Sequence, residues 1–436
     1  MTTRNALMRG AAAGALLAVC LGASAQAADQ PSNRELIDQI QQLNAQVQAL
    51  QARLDSQQQA QQATQVQVQQ TQAQVQQVAA DNESVQTRLA DVPTQVLATI
   101  AEIPKPKPSW ADSTSVSGRM YFDLSSISQK SDGVKTPPSG VGFDIKRFYV
   151  SVDHTFNSTF SADITTDFQY SSAIGATELY IKKAYLQANV APELTLRFGA
   201  ADMPWIPYAE GIYGYRHLEQ TVSDRTKFGT SSDWGVHALG KLGQHISYDV
   251  AVINGGGYKN PTARSKTMDV EGRVSVEYQG LNLAVGGYSG KLAKKTEGAV
   301  NVEHTANRFN ALAAYVKGPY RIGVEYFSAS NWNNVTSATS DKSDGYSVFG
   351  SYNINPMISV FGRYDWVKPN KTTSPDKKDN YWNIGIQYEP VKIIDLALVY
   401  KRDRIDNGTI STGNGTIGGL VDGSYDEIGL FGQLRW

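Results

Sequence analysis

The sequence predicts an all-β protein, a 16-stranded antiparallel transmembrane β-barrel, preceded by a long α-helical coiled coil. Three observations predict it. From Trp110 onward, apolar and polar residues alternate with period two through many successive segments. Short and long connectors alternate between those segments. Ahead of them, Leu36, Ile40, Leu43, Val47, Leu50 and Leu54 follow one heptad register. Beyond the N-terminus, no stretch has the ~20 continuous apolar residues of a spanning helix, which excludes a bundle of membrane helices.

Composition removes other classes. Lys and Arg total 40 against 41 Asp and Glu, a net charge of −1, so no basic excess points to nucleic acid. The single cysteine, Cys20, supports neither a disulfide framework nor a thiolate metal site. Residues 1–27 read as a signal peptide: Arg4 and Arg9 precede the apolar run 11–21, and small residues follow at 23–27.

Residues 28–92 read as the coiled coil. The stripe continues from Leu54 through Gln57, Gln61, Thr64, Val68, Thr71, Val75, Val78, Asn82, Val85, Leu89 and Val92. One helix cannot bury this stripe, so association between chains is expected, with the polar members fixing register. Pro93 is expected to end the helix, and Pro104, Pro106 and Pro108 to stiffen a linker over 93–109.

Residues 110–436 are the predicted barrel. Strands are expected to begin near Ser115, Gly142, Phe160, Glu178, Leu194, Asp233, His245 and Met268, then Leu281, Asn307, Tyr320, Gly345, Ile358, Tyr381, Ile393 and Tyr425. In 160–168 one face is apolar while the other carries Asp163 and Asp167 in mid-strand. A membrane barrel needs that arrangement, with the apolar face outward and the polar face lining water. Turns such as Gly243-Gln244 and Gly318-Pro319 form one rim, and connectors such as 127–141, 203–232 and 404–424 the other. This is the asymmetry between the periplasmic and outer ends of a Gram-negative outer-membrane barrel. An even strand number brings both barrel ends to the short-turn rim, and the chain closes on Trp436.

No zinc-protease, phosphate-loop or serine-hydrolase motif occurs, no metal site or cofactor is implied, and no enzymatic activity is expected. His217 with Asp224, or His237 with Asp249, are the pairs a barrel hydrolase would have to assemble. The connector Asp202–Ser232 is long enough to be functional. It holds Met203-Pro204-Trp205-Ile206-Pro207-Tyr208, then Arg216, Arg225 and Lys227. Parity turns Arg147, Lys183, Arg197, Arg273, Arg321, Arg363 and Lys401 inward, opposed by Asp163, Asp167, Glu271 and Glu325. From Trp110 on there are 33 basic and 33 acidic residues, so composition does not set the sign of any ion preference.

Segments 143–150 (FDIKRFYV), 182–186 (KKAYL), and 196–199 (LRFG) followed by Met203-Pro204-Trp205 resemble the phosphate-selective porin O and P family. The resemblance implies a homotrimeric outer-membrane porin, with a loop folded into the lumen and basic residues conducting small hydrophilic anions. The even strand number puts the coiled coil at the periplasmic rim, and the expected partners are lipopolysaccharide and membrane lipid around the barrel, with peptidoglycan as a further partner. Porins for dicarboxylates or sugars are the alternative, the latter with an aromatic track from Tyr149, Tyr185, Phe327 and Phe361. A structural tether or adhesin on a barrel anchor is the alternative of another class.

Overall fold

The computed structural model describes residues 33–102, 109–171 and 176–436, in two units that divide near Pro106. The signal-peptide assignment lies outside these residues.

The first unit is one helix, α1 (Asn33–Glu102), about 105 Å long at the usual rise. Ile40, Val47, Leu50, Leu54, Val68, Val75, Val78 and Val85 are exposed along it. Thr64 and Thr71 donate to the carbonyls of Ala60 and Gln67, each at 2.8 Å, and so satisfy their hydroxyls within their own helix. The expected stop at Pro93 is corrected: the helix continues through it to Glu102. Proline deletes one backbone bond, and good helix formers such as Gln95, Leu97 and Ala98 carry the helix onward.

The second unit begins with a 3₁₀ turn, Trp110–Ser113, capped by Ser109 and Asp112. Sixteen long strands follow. They are β1 (Thr114–Ser131), β2 (Gly140–Thr155), β3 (Phe160–Ser171), β4 (Ala176–Ala191), β5 (Leu194–Asp202), β6 (Ser232–Leu242), β7 (Ile246–Ile253) and β8 (Asp269–Tyr278). The second half is β9 (Leu281–Gly290), β10 (Ala306–Lys317), β11 (Tyr320–Ser330), β12 (Lys342–Asn355), β13 (Ile358–Lys368), β14 (Lys378–Val391), β15 (Ile394–Asp406) and β16 (Asp422–Arg435). Each pairs antiparallel with its sequence neighbours, and β16 pairs back onto β1 from Arg119↔Arg435 to Ser131↔Gly423. The sheet is therefore closed and leaves no edge.

Burial alternates in the inverted sense. In β11, Ile322 and Val324 are exposed while Glu325 and Phe327 are buried. Tyr278, Tyr315, Tyr320 and Tyr352 are exposed near the short-turn rim, and Tyr346 and Tyr364 towards the other, the aromatic girdles of a membrane barrel. Every strand starts within three residues of its expected position. Glycine makes two close strand approaches possible: a Cβ at Gly199 would meet Ala184 O at 2.2 Å, and one at Gly235 would meet Val252 O at 2.1 Å.

Candidate functional site

The connector between β5 and β6 folds back inside the barrel as α2 (Ile206–Tyr213) and α3 (Val222–Arg225). Pro207 sits in the first turn of α2, where its missing N–H costs nothing, and Gly214 at φ 66° ends it. Arg321 of β11 donates to the carbonyls of Gly211 and Ile212 at 3.1 and 2.6 Å, closing the open end of that helix.

The loop carries its own apolar core into the lumen. Trp205, Ile206, Ala209 and Tyr213 pack on Ala284, Leu312, Ala314 and Phe349. Met203 and Phe228 pack with Tyr288, Phe327 and Trp332. Trp205 is fully buried; its indole donates to Glu325 at 2.8 Å and its backbone N–H to Glu271 at 3.0 Å. Ser223 also donates to Glu325, at 3.2 Å, and Arg308 holds the other oxygen of Glu271 at 2.7 Å.

Arg225 is the strongest attachment. Its guanidinium is completely buried and reaches Asp365 on β13 at 3.1 Å, Asp379 on β14 at 2.8 Å and Asp403 on β15 at 2.8 Å. The ring of Tyr381 lies 4.4 Å beneath it. Lys401 donates to Leu218 O at 2.8 Å and pairs with Glu427 at 3.1 Å. Arg363 bonds Gln220 O and pairs with Asp365 at 2.6 Å. Arg273 donates to Pro204 O at 2.8 Å and lies over Tyr208.

The sequence assignment is corrected at four positions. Arg273, Arg363 and Lys401 face inward, as parity requires, and Arg225 reaches the wall from the loop itself; all four join loop to wall rather than present charge to a solute. The physical reason is that a loop inside a charged lumen needs partners for its backbone carbonyls and for the wall's carboxylates. Three of the four aromatic-track residues pack against other side chains, and Tyr149 alone of the four lines one of the cavities described below. Phe327 is covered by Phe228 at 5.0 Å, Phe361 packs on Tyr215 at 4.4 Å, and Tyr185 stacks under Arg197 at 4.8 Å. Of the catalytic pairs, His237 Nδ1 and Asp249 lie 4.0 Å apart, beyond a hydrogen bond.

The loop leaves three adjoining cavities of about 380, 370 and 410 Å³. Arg216 lines all three, held by Glu210 at 2.5 Å with Asp224 at 3.9 Å. Arg321 and Arg119 line the cavity by the short-turn rim; Arg147, Lys182 and Lys227 line the one towards the long loops; Lys182 and Lys183 line the one between. Arg147 pairs with Asp167 at 2.7 Å, and Lys183 lies 3.9 Å from Asp163. Arg197 instead bonds Gln187 at 2.9 Å.

The fold separates charges that the sequence intersperses. Glu325, Asp365, Asp379, Asp403 and Glu427 are buried, where they contact the loop or the side chains that hold it. Within the loop, burial drives His217 down to about 3, helped by the cations Arg435, Lys401, Arg119 and Arg216. Burial also lowers Lys227, and Arg147 and Arg216 add to this against the attraction of Asp224.

Two lumen cations escaped period-two reading. Tyr121 pairs with Arg147 but Phe122 with Ile145, so Lys146 is an extra, bulged residue. Thr165 pairs with Lys183 but Thr166 with Ile181, which makes Lys182 another. Each bulge turns two successive cations inward. The only sequence signal is the doublet itself, Lys146-Arg147 and Lys182-Lys183, since a strand facing lipid on one side has no other place for two adjacent charges.

No protein-family model matches the chain, and no curated protein sequence matches it. Solved structures do match the barrel. The outer membrane channel DcaP of Acinetobacter baumannii is 14% identical over 74% of this chain and 97% of its own, with a TM-score of 0.55. The anion-selective porin from Comamonas acidovorans is 11% identical over 74% of this chain and 99% of its own, at 0.56. OmpF of Salmonella typhi, solved with daunomycin, is 11% identical over 75% and 99%, at 0.51. The barrel thus has the porin fold.

Proposed function

We propose that this chain is an outer-membrane porin, a passive diffusion channel for small hydrophilic solutes with a preference for anions. The observation that carries the reading is the set of cavities joined by Arg216 beside a loop that packs on the inner wall. A barrel with its apolar face outward needs lipid around it, and the fold is shared with outer-membrane channels. Anion preference follows from Arg119, Arg147, Lys182, Lys183 and Lys227 lining the cavities while many of the acids are covered by the loop. Acids such as Glu210, Asp202 and Asp224 share the lining, and it is the excess of cations along the path that raises the local concentration of anions.

The exposed stripe of α1 supports association, and insertion of every copy in one orientation makes a parallel bundle of helices the natural outcome. A homotrimer with three separate channels accords with this, its helices in the periplasm reaching towards peptidoglycan and its long loops among lipopolysaccharide. Phosphate is one candidate solute. The test is single-channel recording in planar bilayers across a KCl gradient, then with added phosphate. Stepwise conductance with an anion-selective reversal potential supports the reading, and phosphate block identifies that solute. Barrels that insert but stay silent overturn it in favour of a tether.

A further inference from the structure

We infer that Lys182 is the residue at which a permeating anion binds, and that the β-bulge on β4 exists in the lumen for this purpose. The inference rests on the channel reading above and names the group that selects. The two bulges deliver four cations to neighbouring stretches of wall. Three of them meet fixed acids. Lys146 lies 3.3 Å from Asp123 and 3.5 Å from Glu427, Arg147 2.7 Å from Asp167, and Lys183 3.9 and 3.8 Å from Asp163 and Asp202.

Lys182 differs. Its ammonium lies over the ring of Tyr149, 4.8 Å from the centroid, and has no carboxylate within 4.0 Å among the described residues. A ring face attracts the cation but accepts little of its hydrogen-bonding capacity, so the N–H groups of an ammonium remain available for an anion. Lys182 also lines two of the three cavities, on either side of Arg216. It shares both linings with Arg216 and Ser231, which places its ammonium beside an anion moving between the two cavities. The stem is held in place by Tyr149, so little ordering is needed when the anion arrives.

A second consequence concerns position. Without the bulge, strict alternation would send either Lys182 or Lys183 to the lipid face, which a charge avoids. The extra residue removes that conflict and adds a cation beyond those the wall's acids neutralise.

The experiment is conductance as a function of KCl concentration for the full-length protein, with the reversal potential measured in each case. The wild type is expected to saturate as a channel with a binding site does. Lys182→Gln is expected to give conductance linear in salt and at least a threefold loss of chloride over potassium permeability. Lys182→Arg is expected to restore both, and Tyr149→Leu to weaken saturation by loosening the platform. A Lys182→Gln channel that still saturates and keeps its chloride preference overturns the inference while leaving the porin intact. If the wild type itself does not conduct, the channel reading fails and this inference with it. Heat-modifiable migration on gels confirms that each variant is a folded barrel before it is recorded.

Discussion

Replacing Arg225 by Met should release the inward loop. The guanidinium holds three aspartates from three adjacent strands, and all four side chains are fully buried. Removing it leaves Asp379 and Asp403 without this cation, while Asp365 keeps Arg363 at 2.6 Å. Breaking a buried ion pair by deleting one partner costs about 3–5 kcal/mol, which shifts the docked-to-undocked ratio of the loop about a hundredfold to a few thousandfold. The barrel wall is held by its own ladder, so the change should be local. The assay pairs single-channel recording with limited proteolysis of the loop in detergent. The variant should show larger, noisier conductance and cleavage within 203–231, with the barrel intact. A triple change of Arg225→Met with Asp379→Asn and Asp403→Asn removes the charge imbalance and should recover most of the protection. The reasoning is refuted if Arg225→Met alone keeps wild-type noise, conductance and protease resistance.

Trp205→Ala removes the fully buried indole that donates to Glu325 while keeping the backbone bond to Glu271; a loss of about 3–5 kcal/mol in loop docking is expected, read as hydrogen exchange throughout α2. His217, held near 3 in the folded loop against an ordinary 6.5, takes up its proton more readily when the loop is released. Loop docking is therefore undiminished above pH 6.5 and weakens as pH falls towards 3, and His217→Gln should flatten that dependence in the same proteolysis assay. At the long-loop rim, Asp341 accepts from Asn370, Thr372 and Thr373. Burial would raise its carboxyl, but these bonds outweigh it and hold it below the ordinary 3.8. Its contribution is present above that value and lost as pH falls below it, so Asp341→Ala should cost about 1–3 kcal/mol locally, seen as faster exchange at 370–373 at neutral pH. Deleting residues 36–92 should leave conductance in place and abolish association through α1, measured by sedimentation of the helix alone and by bilayer recording of the barrel.

Period-two alternation, connector lengths and turn chemistry were enough to read the strand count, the closure and both rims, because each strand's two faces meet solvents of opposite kind. The heptad of α1 was equally legible, since helical period is a local property. Pro93 misled because a proline's effect depends on whether its flanks can sustain the helix. Parity also turned Arg363, Lys401, Glu271 and Glu325 inward, and the structure buries all four there.

What alternation could not show was the occupant of the lumen. Whether an inward charge meets water or the loop depends on contacts between residues far apart in the chain, such as Arg225 with Asp403. The balanced composition therefore concealed an unequal distribution, with many acids covered and Arg216, Lys182 and Lys227 beside the cavities. The bulges at Lys146 and Lys182 were likewise decided by pairing, because a one-residue slip is visible only against the neighbouring strand. The sequence by itself determined the barrel, through the demand of lipid on one face and water on the other. Only the tertiary structure decided which charges remain for a solute, because the loop's buried groups must claim their partners first.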